Sequence, residues 1–504
     1  MYRILSAFLL FINLLYTHSL EAQLFPKEGR RLCYRLIGFA FPAQPGATKY
    51  KIEIATGTYS TESEFEKNIK VTITSTKSKV IGEVPFFGCA YTWRAVPVMA
   101  GNVKVKSVLH HFSTRITADV DTACSHLRII KAAEKHKDAY VFVDNTRVLY
   151  DMNGRPIWFL PGTDLKANQS AFPRDLKITP QGSITFMTGG LPYDINYDGD
   201  ILWHYRGNTN SQYTETFNHE FTRLHNGHYM GLISVNIFRK LPGFEDSVAH
   251  TTADSLRLYD HKQFCAITEY DEQCNIVWRW NGYDYIQNSD LSVHKKADSV
   301  LDVNDLHENS FYFDEQHKVG YLSFRNISRI IKIKYPEGNV LNTYGTLYKP
   351  GLTKMDNNLF CFQHSARVGQ KGNLYLYDNN VCGVSHIPII EQLKEPPAGS
   401  NDLKVVWKYP CTLEPRDSAA LGDQVFRQGG DVTELPDQCL FVSMGRPYCK
   451  LFIVSPDKKE LWSAIPETFD KETGKWVELP ELYRSSIIAS RKDMEKLIWN
   501  SEKE

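Results

Sequence analysis

The stretch Arg174-Asp175-Leu176-Lys177-Ile178 is a short strand pattern; it leads through a turn at Gly182 to Asp198-Gly199-Asp200-Ile201-Leu202-Trp203. The same order recurs on both sides: short strand, glycine or asparagine turn, apolar strand often carrying tryptophan. Upstream, Ala139 to Leu160 holds Asp151-Met152-Asn153-Gly154 before Ile157-Trp158. Downstream, one unit has His219, Gly227 and Ile276-Val277-Trp278, and the next has His307, the strand Gly320 to Arg325, and Ile330 to Ile333. A further unit has His364, Gly372 and Val405-Val406-Trp407, and the last has Gly430-Asp431-Val432, Leu440 to Met444 and Leu461-Trp462. Six units of roughly 45 to 65 residues are the sequence mark of a β-propeller, whose closure hides sheet edges. The reading is therefore an all-β chain with a six-bladed β-propeller over residues 121–480; a long array of β-sandwiches is the alternative. The recurring tryptophans are read as packing between blades rather than as a ligand box.

The flanks read differently. Residues 23–120 carry short alternating segments such as Tyr50-Lys51-Ile52-Glu53-Ile54, which predict a small N-terminal β-sandwich of immunoglobulin or fibronectin type, with a linker near 117–125. Residues 1–22 have the charged start and short apolar core of a secretory signal; about 13 apolar residues fall short of a bilayer span. A secreted or periplasmic chain without a stable membrane span is expected. The tail, 481–504, has helical spacing from Leu482 to Trp499 and reads as a surface helix. Ten cysteines suit an oxidising compartment, and the close pairs Cys265 with Cys274, Cys361 with Cys382, and Cys439 with Cys449 are the candidate bridges. Lysine plus arginine equals aspartate plus glutamate at 58 each, which gives no support to a nucleic-acid partner. A small molecule is the expected partner. A homodimer is allowed, although no interface signature marks one.

Three histidines stand in register. They lie in Phe217-Asn218-His219-Glu220-Phe221, Asp305-Leu306-His307-Glu308-Asn309-Ser310 and Phe362-Gln363-His364-Ser365-Ala366. His219 and His364 each precede a turn glycine, Gly227 or Gly372, by eight residues, so both take the same position in their units. A lone buried histidine is usually a satisfied core residue. Three in register, with Asn309 and Arg325 nearby, form a set suited to transferring an anionic group. Imidazole can serve as nucleophile, acid or base, while guanidinium and amide supply donors to an oxyanion.

At these residues the chain resembles the bacterial arylsulfate sulfotransferases, exported six-bladed propellers with a small N-terminal β-domain. The resemblance rests on Leu224-His225-Asn226-Gly227-His228-Tyr229, His307-Glu308-Asn309-Ser310, Arg325, Gln363-His364, Gly372-Asn373 and Asp378-Asn379. It implies that His364 is the nucleophile, forming a sulfohistidine from an aryl sulfate donor that a phenolic acceptor then discharges by ping-pong turnover. It further implies that Arg325 and Asn309 hold the sulfuryl oxygens and that His219 and His307 orient the sulfate and pass protons. The family commonly has an acidic residue after the nucleophilic histidine; this chain has Ser365, which puts its rate in question. Loops at 241–254 and 391–401 look individual, so the acceptor is expected to be so too. Rival readings are a non-catalytic propeller binding a sulfated or phenolic ligand, an aryl sulfate hydrolase, and an adhesion scaffold. No Gly-x-x-x-x-Gly-Lys-Ser/Thr loop or Gly-x-Gly-x-x-Gly helix start occurs, so no nucleotide cofactor is expected. No Cys-x-x-Cys or His-Glu-x-x-His spacing occurs either, so no metal is expected.

Overall fold

The computed structural model describes residues 24–100, 107–115, 126–162, 173–207, 216–240, 246, 248, 250–251, 259–286, 295–296, 299–300, 306–345, 359–383, 385–397, 400, 402–413 and 428–500. The expected leader over 1–22, the linker near 117–125 and most of the 241–254 loop lie outside them. The chain is all-β, built from many small antiparallel sheets. Its described residues divide into two compact units, one from the chain before residue 120 together with 157–162 and the last few residues, the other from 120–156 and 163–497. Among the described residues no helix is long and apolar enough to cross a membrane.

In the first unit, strands Arg30–Leu32, His110–Thr114, Ala90–Met99, Ala47–Thr56 and Ile69–Ser75 form one sheet in that order. Leu36–Ala40 and Lys79–Glu83 form a separate pair. Phe39 from that pair meets Trp93 at 5.0 Å and Phe112 at 6.2 Å between ring centroids, edge to face, so the aromatic residues of both layers form one core.

The second unit repeats one pattern. Four-stranded antiparallel sheets begin with the strands Arg174–Ile178, Thr216–Arg223, Glu308–Asp314 and His364–Val368. Another sheet begins with Asp431–Glu434, and its long strand Glu460–Asp470 also takes the segment His126–Lys131 alongside it. The sheet of Tyr140–Val143 and Val148–Asp151 receives its first strand from the other end of the chain: Ser485–Ile488 pairs with Tyr140–Val143. These six first strands contact one another in a closed cycle, Ser485–Ile488 lying against both Asp431–Glu434 and Arg174–Ile178.

Tryptophan links the sheets. The indole N–H groups of Trp203, Trp278, Trp407 and Trp462 donate to the carbonyls of Glu272, Pro336, Pro456 and Met152, each in a turn of the next sheet. The tryptophan positions are therefore packing positions, with the polar edge satisfied when buried.

Several expectations are corrected. The tail is not helical from Leu482: Ser485–Ile488 is a strand, and the helix is Arg491–Asn500, with Met494, Leu497 and Ile498 buried. The apparent helical spacing is short enough that pairing with an available sheet edge decides it. Residues 391–394 continue the strand Ile389–Lys394 rather than forming a loop. Of the three candidate bridges only Cys361–Cys382 forms; Cys265, Cys274, Cys439 and Cys449 are not in disulfides. Geometry explains this. Cys265 lies inside the strand Tyr259–Tyr270 and Cys274 in the turn beyond its end, several rises of about 3.3 Å apart. Cys439 and Cys449 flank opposite ends of an antiparallel pair in which Leu440 faces Val454 and Ser443 faces Leu451.

Candidate active site

Four of the first strands break register at the residues of interest. The shift falls between Arg174 and Lys177 in one, between Phe217 and Phe221 in another, between Glu308 and Ser310 in the third and between His364 and Arg367 in the fourth. Asp175, His219 and Ser365 inside these breaks, and His307 just before one, have φ between 50° and 60°. Each break is a β-bulge, which turns a side chain out of the strict two-residue alternation and sharpens the local twist. A left-handed backbone at such residues costs of order 1–3 kcal/mol each and persists only where the surroundings fix it.

The surroundings that fix it are polar and buried. Arg484, from the segment just before the last strand, donates to the carbonyls of His219 at 3.3 Å and of Asn309, and to Glu220 Oε1 at 2.7 Å. Lys177 bridges Asp175 Oδ2 at 2.7 Å and the Glu220 carboxylate, while Asp175 Oδ2 also accepts from the Phe221 N–H at 2.8 Å. Arg367 reaches Asp431 at 3.3 Å. Asp175, Lys177, Arg367, Asp431 and Arg484, together with Thr179, line a cavity of about 430 Å³. Burial alone would raise both Glu220 and Asp175. Lys177, Arg484 and Arg367 outweigh it at Glu220 and hold it low and ionised, whereas burial and then the Glu220 charge push Asp175 up to about 7.

The predicted residues come together on the same strands. The rings of His219 and His307 lie 5.3 Å apart, Tyr483 sits 5.4 Å from His219 and 6.3 Å from His364, and the Arg174 guanidinium stacks 4.7 Å over Tyr483. Arg325 follows the strand Val319–Phe324 rather than lying in it; its N–H donates to the His307 carbonyl at 3.0 Å and its guanidinium covers Phe362 at 5.3 Å. Asn309 is fully buried, and its amide donates to the Gln363 carbonyl at 2.7 Å, which ties the His307 segment to the His364 segment.

His364 is completely buried. Its Nδ1 meets Asn379 Oδ1 at 2.7 Å, and Asn379 Nδ2 donates at 3.1 Å to the Gly429 carbonyl, which can only accept. The carboxamide is therefore oriented with oxygen toward the ring, so Nδ1 carries the proton and Nε2 holds the lone pair. Among the described residues no group hydrogen-bonds that Nε2. Burial, then Arg325 and Arg484, holds the imidazole well below its usual range; burial, then His307 and Arg484, does the same to His219. Both rings are neutral. The bridge Cys361–Cys382 closes the loop that carries both His364 and Asn379.

Ser365 plays no part in orienting that ring. Its hydroxyl donates to Asp431 Oδ1 at 2.5 Å and accepts from the Val432 N–H at 3.3 Å, in the neighbouring sheet. The missing acid therefore does not leave the imidazole unanchored.

Sequence reading missed three residues. Arg174 stands eight residues before the turn glycine Gly182, the same offset as His219 and His364, so the register alone could have found it. The sixth sheet has Gly430 eight residues before Gln438, whose φ is 66° and which closes the equivalent turn. Gly430 has φ 104°, and a Cβ there would meet the Tyr377 ring at 2.3 Å, so only glycine fits. Tyr483 and Arg484 lie in a tail read as helix, and no local pattern marks them.

A family profile described as Arylsulfotransferase (ASST) matches residues 126–388. No curated protein matches the sequence. Solved structures with distant likeness include a protein of unknown function from Bacteroides caccae, at 12% identity and TM-score 0.39, covering 70% of this chain and 99% of that one. A putative 6-phosphogluconolactonase from Bacteroides fragilis has 11% identity and TM-score 0.29, covering 89% and 100%. The periplasmic gluconolactonase of Pseudomonas aeruginosa also has 11% identity and TM-score 0.29, covering 88% and 99%. With the profile spanning His219, His307, Arg325, His364 and Asn379 over just over half of its length, this chain belongs to the arylsulfotransferase family.

Proposed function

We propose that the chain is an exported arylsulfate sulfotransferase that moves a sulfuryl group from an aryl sulfate to a phenolic acceptor through a sulfohistidine on His364. In this reading the six sheets are the blades of a six-bladed β-propeller over residues 121–480, preceded in the sequence by an N-terminal β-sandwich over 23–120. The observation that carries it is the state of His364: neutral, with Nδ1 locked by Asn379 and the Nε2 lone pair uncommitted among the described residues.

Nε2 attacks sulfur, and the bond from sulfur to the aryl oxygen breaks with its electrons leaving on that oxygen. The imidazole becomes cationic on sulfonation, and Asn379 Oδ1 stabilises it by accepting from Nδ1–H. A second phenol oxygen then attacks sulfur, and the N–S pair returns to Nε2. Arg325 offsets the sulfuryl charge; the first aryl oxide leaves as the anion and takes its proton from solvent, and His219 and His307 accept the proton of the entering phenol as it attacks and return it to solvent.

The test is nitrophenol release from 4-nitrophenyl sulfate by the purified mature protein, with phenol varied. Phenol-dependent release with parallel double-reciprocal lines is expected. Release indifferent to phenol would make the chain a hydrolase, and none at all would leave a ligand-binding propeller.

The pH dependence is also expected to be one-sided. Because His364 and His219 are held neutral, the acid limb of kcat/KM lies below the ordinary histidine range of about 6.5. The same groups lower stability as pH falls below about 6.5, where the unfolded chain takes up protons that the folded chain refuses. A pH–rate profile together with urea midpoints between pH 5 and 8 checks both; an acid limb at or above pH 6.5 contradicts the assignment.

A further inference from the structure

Away from the histidine site, two loops distant in sequence bring together His136, Asp437 and Cys439, whose donor atoms all lie within 4.8 Å of one another. His136 sits between the strands His126–Lys131 and Tyr140–Val143; Asp437 and Cys439 sit in the turn between Asp431–Glu434 and Leu440–Ser443. The His136 side chain is turned inward, only 8% exposed, on a backbone with φ 62°. Its Nε2 lies 3.3 Å from Asp437 Oδ2, and Cys439 Sγ lies 3.4 Å from the same oxygen. Tetrahedral ligands at the usual zinc distances stand about 3.4 Å apart for nitrogen and oxygen, and about 3.6 Å for oxygen and sulfur.

We propose that His136, Asp437 and Cys439 form a binding site for a zinc-class divalent cation that clips these two loops together. One nitrogen, one carboxylate oxygen and one thiolate suit a borderline-soft ion rather than calcium or magnesium. Cys439 is buried and free of any disulfide, so its sulfur is available to a metal. Water is the candidate for the fourth position, as at zinc sites with three protein ligands. The Lys135 ammonium rests 3.1 Å from Asp437 Oδ2 and competes for that oxygen; at 66% exposure its side chain is free to swing out. Binding deprotonates the thiol and releases that proton to solvent. The inference does not rest on the sulfuryl-transfer reading.

The test uses the full mature chain, stripped with chelator, titrated with Zn²⁺ by calorimetry and with Co²⁺ as an absorbing probe. Wild type is expected to bind Zn²⁺ and to give a thiolate-to-cobalt charge-transfer band. Cys439→Ser should abolish the band and weaken Zn²⁺ at least about tenfold. Lys135→Met, an exposed change that leaves the fold intact, should tighten Zn²⁺ by about threefold or more, because a like charge leaves the site. The absence of a cobalt–thiolate band in wild type, its persistence in Cys439→Ser, or unchanged or weaker Zn²⁺ binding in Lys135→Met would each overturn the proposal.

Discussion

In the His364→Ala protein, phenol-dependent release of nitrophenol from 4-nitrophenyl sulfate falls by roughly 10⁴-fold or more, the scale seen when a covalent nucleophile is removed. The loss should appear in kcat, since the group that takes the sulfuryl is gone while the binding groups remain. Two neighbours separate nucleophile from scaffold. Asn379→Ala frees the ring to take either tautomer and removes the acceptor that stabilises the sulfonated imidazole, so kcat should fall about 10- to 100-fold while KM moves little. Ser365→Ala breaks only bonds to Asp431 and Val432 in the next sheet, so its cost should appear mainly as stability, about 1–3 kcal/mol for buried groups left short of a partner. Mass spectrometry of protein quenched during turnover should find the sulfuryl group on the tryptic peptide containing His364. More than a tenth of wild-type kcat in His364→Ala, or a Ser365→Ala defect in kcat larger than that of Asn379→Ala, would remove His364 from the role.

What was legible in the sequence follows from what is local. Turn chemistry at Asp151 to Gly154, or at Asn196 to Gly199, is decided within four or five residues, because an aspartate or asparagine oxygen caps the turn and glycine supplies the positive φ. The units and their tryptophans were therefore readable, and so was the shared register of His219 and His364. The bulges were not: Asp175, His219 and Ser365 adopt a conformation that none of them prefers strongly, and what imposes it is Arg484, Asp431 and other residues tens to hundreds of positions away. The anchor of His364 is half readable: Asp378-Asn379 stands out as a motif, but nothing local says that Asn379 rather than residue 365 meets the ring. The strand Ser485–Ile488 was missed because its pairing partner, Tyr140–Val143, lies about 345 residues earlier. Four residues of Ser and Ile carry too little period to separate a strand from a helix.

Arg484→Met should be the most destabilising single change at the site. The guanidinium is buried, with its charge set against Glu220 at 2.7 Å and Asp175 at 3.6 Å. Removing it leaves at least one carboxylate buried beside fewer cations, a change worth about 3–5 kcal/mol when one partner of a buried pair is lost. Methionine fills much the same volume, so the cost is electrostatic rather than a cavity. The two acids should then behave differently. Glu220 is the one held ionised, so Glu220→Gln costs nearly as much as Arg484→Met; Asp175 already sits at about 7, so Asp175→Asn costs less, although it weakens the hold on the Phe221 N–H. The double variant Arg484→Met with Glu220→Gln should recover part of the loss, because charge and countercharge leave together. Catalysis should suffer separately, since the carbonyls of His219 and Asn309 lose the donor that holds both bulges in place. Urea midpoints for the four proteins, with kcat measured well below each midpoint, separate the two effects. If the double variant is no more stable than Arg484→Met, or if Asp175→Asn costs more than Glu220→Gln, the buried charges are not arranged as the geometry implies.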